Sequence, residues 1–135
     1  MKALDTNVLA RFFIDDADDI DTARQRPAAV EALSQRAFVS VTVLLEFEWV
    51  MRGFYRLPSE EIARVISALA GIDHVSIEDR SAVLAALDGY GRGLDFADAL
   101  HLARSGRATA FVTFDRKLAR RGGAMEVGPP VELLA

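Results

Sequence analysis

The sequence predicts an α/β protein whose mostly parallel sheet is covered by helices on both faces. Short strand-like segments alternate with longer segments of helical periodicity along the whole chain, the signature of parallel strands joined by crossover helices. A chain of 135 residues with 51% apolar and 27% charged residues also suits one compact domain with a sizeable core.

Taken in order, Lys2 to Asp5 reads as a strand, followed by a helix with Val8, Leu9, Phe12 and Phe13 on one side. The aspartates that follow read as a loop. Pro27 suits the first turn of a helix running to about Arg36. Ala37 to Ser40 is a second strand, and Thr42 stands next to the start of a helix reaching about Tyr55. That helix is apolar nearly all round, as expected of a core element or an oligomer interface. Pro58-Ser59-Glu60-Glu61 opens the next helix and Gly71 stops it. His74 to Ile77 is a third strand, and Asp79 can cap the helix carrying Ala82, Val83, Ala86 and Leu87. Gly89, Gly91 and Gly93 break the pattern before a helix from about Asp95 to Ser105, with Gly106 as its stop. Ala110 to Thr113 is a fourth strand. Phe114-Asp115 begins a short basic helix ended by Gly122-Gly123, and a last strand near Met125 to Val127 precedes Pro129-Pro130.

The chain has no cysteine, which excludes a disulfide framework, a cysteine-ligated metal centre and thiol catalysis. No apolar run approaches the roughly 18 residues of a membrane span, because Glu46 and Glu48 interrupt the best candidate. No secretory signal is read at Met1-Lys2, so a one-domain cytoplasmic protein is expected. The net charge of −4 is unevenly placed. Asp15, Asp16, Asp18, Asp19 and Asp21 crowd together, whereas Arg104, Arg107, Arg116, Lys117, Arg120 and Arg121 face the single acid Asp115. Such a basic segment either holds a polyanion locally or is a solvated surface. The aspartate run fails as a calcium loop, lacking the glycine and the closing glutamate of that motif.

In open parallel sheets, ligands bind beyond the carboxyl ends of the strands, and four acids fall there. Asp5 closes the first strand and Asp115 lies just past the fourth. Glu46 sits early in the helix after the second strand, and Asp98 in the first turn of its own helix. Gathered carboxylates repel one another and lose solvation, a conflict that hard cations such as Mg²⁺ and Mn²⁺ resolve. Carboxylate-held metals with open positions suit phosphoryl chemistry. Each acid also has a purely structural alternative: Asp5 and Asp115 as helix caps, Asp98 as a first-turn acid favoured by the helix dipole. Glu46 is harder to explain that way within Leu-Leu-Glu-Phe-Glu-Trp. Only one of Glu46 and Glu48 can face a site, since they lie about 200° apart on a helix.

Four segments carry a family resemblance: Leu4-Asp5-Thr6-Asn7-Val8-Leu9, Val43-Leu44-Leu45-Glu46-Phe47-Glu48-Trp49-Val50, Asp95-Phe96-Ala97-Asp98-Ala99-Leu100-His101-Leu102-Ala103 and Val112-Thr113-Phe114-Asp115. In this order and spacing they resemble PIN-domain ribonucleases, over nearly the whole chain. The short single-domain form is similar to VapC toxins of bacterial toxin–antitoxin pairs. The resemblance implies a three-layer sandwich and a Mg²⁺- or Mn²⁺-dependent endoribonuclease acting on RNA. It also implies a homodimer held inactive by a VapB-type antitoxin.

By that resemblance Asp5, Glu46, Asp98 and Asp115 form the acidic, metal-holding site, with Thr6, Asn7 and Thr113 as polar neighbours. Asp95, one turn before Asp98, either reaches the metal or caps the helix. Arg11, Arg52, Arg104, Arg107, Arg116 and Lys117 are candidates to hold the RNA backbone, where contacts position the strand without reading its sequence. His101 is three residues past Asp98 but has no histidine partner nearby, and His74 is given no role. Other readings are a PIN nuclease of RNA processing, a Mg²⁺-binding phosphoacceptor domain and a pure interaction module. A phosphoacceptor needs a lysine beside its aspartate, and the chain has only Lys2 and Lys117.

Overall fold

A computed structural model describes residues Met1–Ala135. Strands and helices alternate as β1 (Lys2–Ala3), α1 (Thr6–Phe13), α2 (Ile20–Leu33), β2 (Ala37–Val39), α3 (Val41–Gly53), α4 (Ser59–Ala70), β3 (Val75–Ile77), α5 (Arg80–Gly91), α6 (Phe96–Ala103), β4 (Phe111–Thr113), α7 (Arg116–Met125) and β5 (Val131–Leu133). The class is α/β and every strand pairing is parallel. No helix is long and apolar enough to cross a membrane. The chain divides into two compact units, Met1–Arg80 and Ser81–Ala135.

The first unit holds the sheet β1-β2-β3, with Ala37 in register with Lys2 on one side and Val75 on the other. Ser40 ends β2 and caps α3, its hydroxyl accepting from the Val43 N–H at 3.2 Å. The Glu78 carboxylate accepts from the Val41 N–H at 2.9 Å, so two of the orphan donors of that helix start are satisfied by side chains. Along α3, Val41, Leu44, Phe47 and Met51 are buried, while Trp49 is 64% and Phe54 75% exposed. The apolar helix therefore serves the core along one stripe and presents two large rings outside it. Helix α1 packs on α2 and α3, and α3 on α4.

In the second unit β4 pairs with β5, Phe111 opposite Val131 and Thr113 opposite Leu133. The Phe111 N–H donates to the Pro130 carbonyl and the Leu134 N–H to the Thr113 carbonyl, each at 2.8 Å. Helix α7 packs on both strands and on α6, and Tyr90 meets Phe96 edge-on at 5.3 Å between ring centroids.

Several expected boundaries shift. Helix α2 starts at Ile20 rather than at Pro27, because Asp19 caps it by accepting from the Asp21 N–H and the Thr22 hydroxyl. Pro27 then lies inside the helix, where its missing N–H forgoes one turn bond. Gly89 and Gly91 belong to α5, and only Gly93, at φ 105°, breaks the chain direction. Gly122 and Gly123 belong to α7, which runs on to Met125. A Cβ on Gly122 would meet Leu102 at 3.1 Å and Val131 at 3.2 Å, so that glycine serves close packing and not a helix stop. Met125 is accordingly helical, and the last strand follows Pro129-Pro130 instead of preceding them. Asp79 takes a left-handed backbone, φ 49°, at the turn into α5.

Candidate active site

Asp5 leaves β1 in extended backbone and caps α1, its Oδ1 accepting from the Thr6 N–H at 2.8 Å. Thr6 is 3% exposed. Its hydroxyl donates to Oε1 of Glu46, so one buried residue orients two acids from β1 and α3. Of the two glutamates on α3, Glu48 turns inward, 4% exposed, where Arg52 donates to it at 2.9 Å from Nε. Glu46 is the one that faces out. The first unit thus supplies Asp5 and Glu46, joined through Thr6.

The second unit supplies a pocket lined by Leu94, Asp95, Asp98, Asp115, Lys117 and Arg121, among others. Asp95 caps α6 and accepts from the Asp98 N–H at 3.4 Å. Asp115 caps α7, its Oδ1 accepting from Lys117 and Leu118 at 2.9 and 3.1 Å. Thr113 holds Asp115 in turn, its Oγ1 accepting the Asp115 N–H at 2.9 Å. Partial burial pushes the Asp98 carboxyl above its usual range, the Asp95 and Asp115 carboxylates push it further, and His101 opposes them.

The capping roles of Asp5, Asp95 and Asp115 leave metal binding open, since each cap engages one carboxylate oxygen and leaves its twin for another ligand. Within the second unit, the all-oxygen set of Asp95, Asp98 and Asp115 is of the type that suits Mg²⁺ or Mn²⁺. No three acidic or histidine side chains are drawn tightly enough together to hold an ion as they stand, so the donors match the cation in type while their closing distances are not preset.

The remaining candidates fall in different places. Asn7 and Arg11 line a separate groove between α1 and α2. Arg11 donates to Gln25 at 3.0 Å and Tyr55 at 3.3 Å, and Arg52 to Glu48. Arg104 ends α6, and Arg107 is exposed beyond it. Arg116 and Lys117 form the exposed first turn of α7. Arg121 is the residue that motif reading passed over as a site. Its signal was the i,i+4 spacing from Lys117, which puts both on one face of α7.

Compared with known families, residues 2–124 match the family described as PIN domain. No curated protein matches the chain.

Proposed function

The chain belongs to the PIN domain family, whose members are generally metal-dependent nucleases, and on that premise we propose that it is an endoribonuclease using Mg²⁺ or Mn²⁺. The observation that carries the reading is the pocket of Asp95, Asp98 and Asp115, where burial, and after it repulsion from Asp95 and Asp115, raises the Asp98 carboxyl and a divalent cation would offset both.

In this reading Asp5, Glu46, Asp98 and Asp115 are the metal-holding acids of the family's motifs, and Asp95 stands beside Asp98 in the pocket of the second unit. When bound, the cation supplies water activation and charge neutralisation at the scissile phosphate. The chain's residues do the rest. Thr6 aims Asp5 and Glu46, and Thr113 fixes the backbone of Asp115. Arg116 and Lys117 occupy a helix start with no acid in its first turn, a place the helix dipole disfavours for cations. Their positions suit holding the phosphate backbone of RNA. Hydrolysis breaks the bond from phosphorus to the 3′ oxygen, leaving a 5′-phosphate and a 3′-hydroxyl.

The finer assignment is a VapC-type toxin, a cytoplasmic homodimer silenced by a VapB-type antitoxin. It rests on four motifs in their order and spacing, and the exposed Trp49 and Phe54 are compatible with a protein partner. Growth arrest on expression, relieved by a small co-encoded protein, separates it from a PIN nuclease of RNA processing. The chemistry is tested by incubating purified protein, free of antitoxin, with a broad RNA pool, in Mg²⁺ or Mn²⁺ and in chelator, beside Asp5→Asn. Discrete fragments that require metal and Asp5 support the nuclease. Intact RNA in every lane overturns it in favour of a binding module.

A further inference from the structure

Two arginines fasten α7 to the turn between α5 and α6. Arg121, on α7, donates from Nη1 to the Gly93 carbonyl at 3.1 Å. In the opposite direction Arg92, on that turn, donates from Nη2 to the carbonyl of Met125, the last residue of α7, at 2.9 Å. The same Nη2 also meets Asp88 at 2.7 Å. The two points on α7 stand about one helical turn apart, so the helix is held against pivoting about either one alone. Gly93 takes φ 105°, and a Cβ there would stand 3.3 Å from Arg121 Nη1. A glycine in that backbone lets the guanidinium come close to the turn.

What these bonds join matters for the pocket. Gly93 stands two residues before Asp95, the cap of α6, and Asp115 opens the helix that bears Arg121. Arg121 itself lines the pocket with Asp95, Asp98 and Asp115. Like charges at the starts of α6 and α7 repel one another, and a two-point fastening farther along α7 holds that helix in place. A guanidinium suits the task because its planar fork stays charged and loses little freedom per bond formed.

We propose that Arg121 is a positioning residue of the carboxylate pocket: by latching α7 to the Gly93 carbonyl it sets where Asp115 stands relative to Asp98, and so how tightly the pocket takes a divalent cation. Arg92 is the second half of the same latch. The inference rests on the metal-nuclease reading above.

The test is titration calorimetry of Mn²⁺ into the full-length protein as wild type, Arg121→Met, Arg121→Lys, Arg92→Met, Asp98→Asn and the exposed-surface control Arg120→Met, with RNA cleavage kinetics alongside. Arg121→Met should raise the Mn²⁺ dissociation constant about tenfold, the usual scale for groups that orient ligands. It should lower kcat and leave KM for RNA unchanged. Arg121→Lys, which can still donate to the carbonyl, should recover part of the loss, and Arg120→Met should match wild type. Wild-type Mn²⁺ affinity with a raised KM in Arg121→Met overturns the proposal and makes Arg121 an RNA contact. If Arg121→Met does not fold, Arg92→Met decides: weakened Mn²⁺ binding supports the latch and wild-type binding overturns it. If the wild type binds no Mn²⁺, or Asp98→Asn binds as well as wild type, the nuclease reading fails and the latch with it.

Discussion

The Thr6 hydroxyl donates to the Glu46 carboxylate across forty positions of sequence, while the Thr6 N–H donates to Asp5. A single buried threonine therefore orients an acid at the end of a strand and an acid on a distant helix. Glu46 is exposed, so its direction comes from this bond and not from packing.

Replacing Thr6 by valine keeps the buried volume and removes the donor. Glu46 can regain its hydrogen bonds from water, so stability should fall by only about 1 kcal/mol, the net worth of one such bond. RNA cleavage should fall by about tenfold, as for other groups that orient ligands. Urea unfolding and kcat measured on the same preparation check the disparity.

Asp5 caps α1 and is proposed as a metal ligand, and two substitutions separate these roles. Asparagine caps as well as aspartate, whereas alanine costs about 1 kcal/mol at a cap. Asp5→Asn should therefore abolish cleavage with an unchanged melting temperature, and Asp5→Ala should lose both. Wild-type cleavage by Asp5→Asn would remove Asp5 from the site.

The raised Asp98 carboxyl makes stability depend on pH in a definite direction. Its unfolded value is near the ordinary 3.8 and its folded value lies above it, so between the two the native state binds more protons. The metal-free protein should lose stability as pH rises through that window, and Asp98→Asn should remove the slope and stabilise the protein at neutral pH. Mn²⁺ favours the ionised carboxylate, so its binding should release protons. Unfolding in chelator across the acid range, and calorimetry in two buffers, measure both effects.

Two glycines of the second unit should respond in opposite ways to alanine. A Cβ on Gly128 would stand 2.0 Å from the Leu102 carbonyl oxygen, which only backbone movement can relieve. Gly128→Ala should cost about 1–3 kcal/mol or more, as overpacking does. Gly123 lies in α7 with nothing within 4 Å of that position. Gly123→Ala should gain up to about 1 kcal/mol through helix propensity, and thermal melts distinguish the two.

What could be read from the sequence were features with local causes. Gly71 ends α4 as expected, and Asp5, Asp95 and Asp115 cap helices because each stands just before a first turn with a side-chain oxygen in reach of its free N–H groups. Where two local signals competed, the reading failed: Pro27 marks a helix start only if Asp19 does not already supply one. Glycine misled for a related reason. The need for glycine at position 122 comes from Leu102 and Val131, side chains from other elements that periodicity does not reveal. At the candidate site, spacing made legible where each acid falls on its element: Asp5 just past β1, Glu46 on α3, Asp98 in the first turn of α6 and Asp115 just past β4. That Glu48 turns inward to Arg52 while Glu46 meets Thr6 depends on packing around α3, and the Arg121 acceptor is a backbone carbonyl that no side-chain motif records.

The pairing of β4 with β5 has a consequence in time. The ribosome releases a chain from its N-terminus, so β1, β2 and β3 are all available for pairing once Ile77 has emerged. Strand β4, which leads directly into Asp115, has no partner until Val131–Leu133 follow it out. The ledge that carries Asp115 is thus the last part of the molecule able to settle during synthesis. A nascent chain stalled before β5 would have its first carboxylate pair in place well before its second group was fixed.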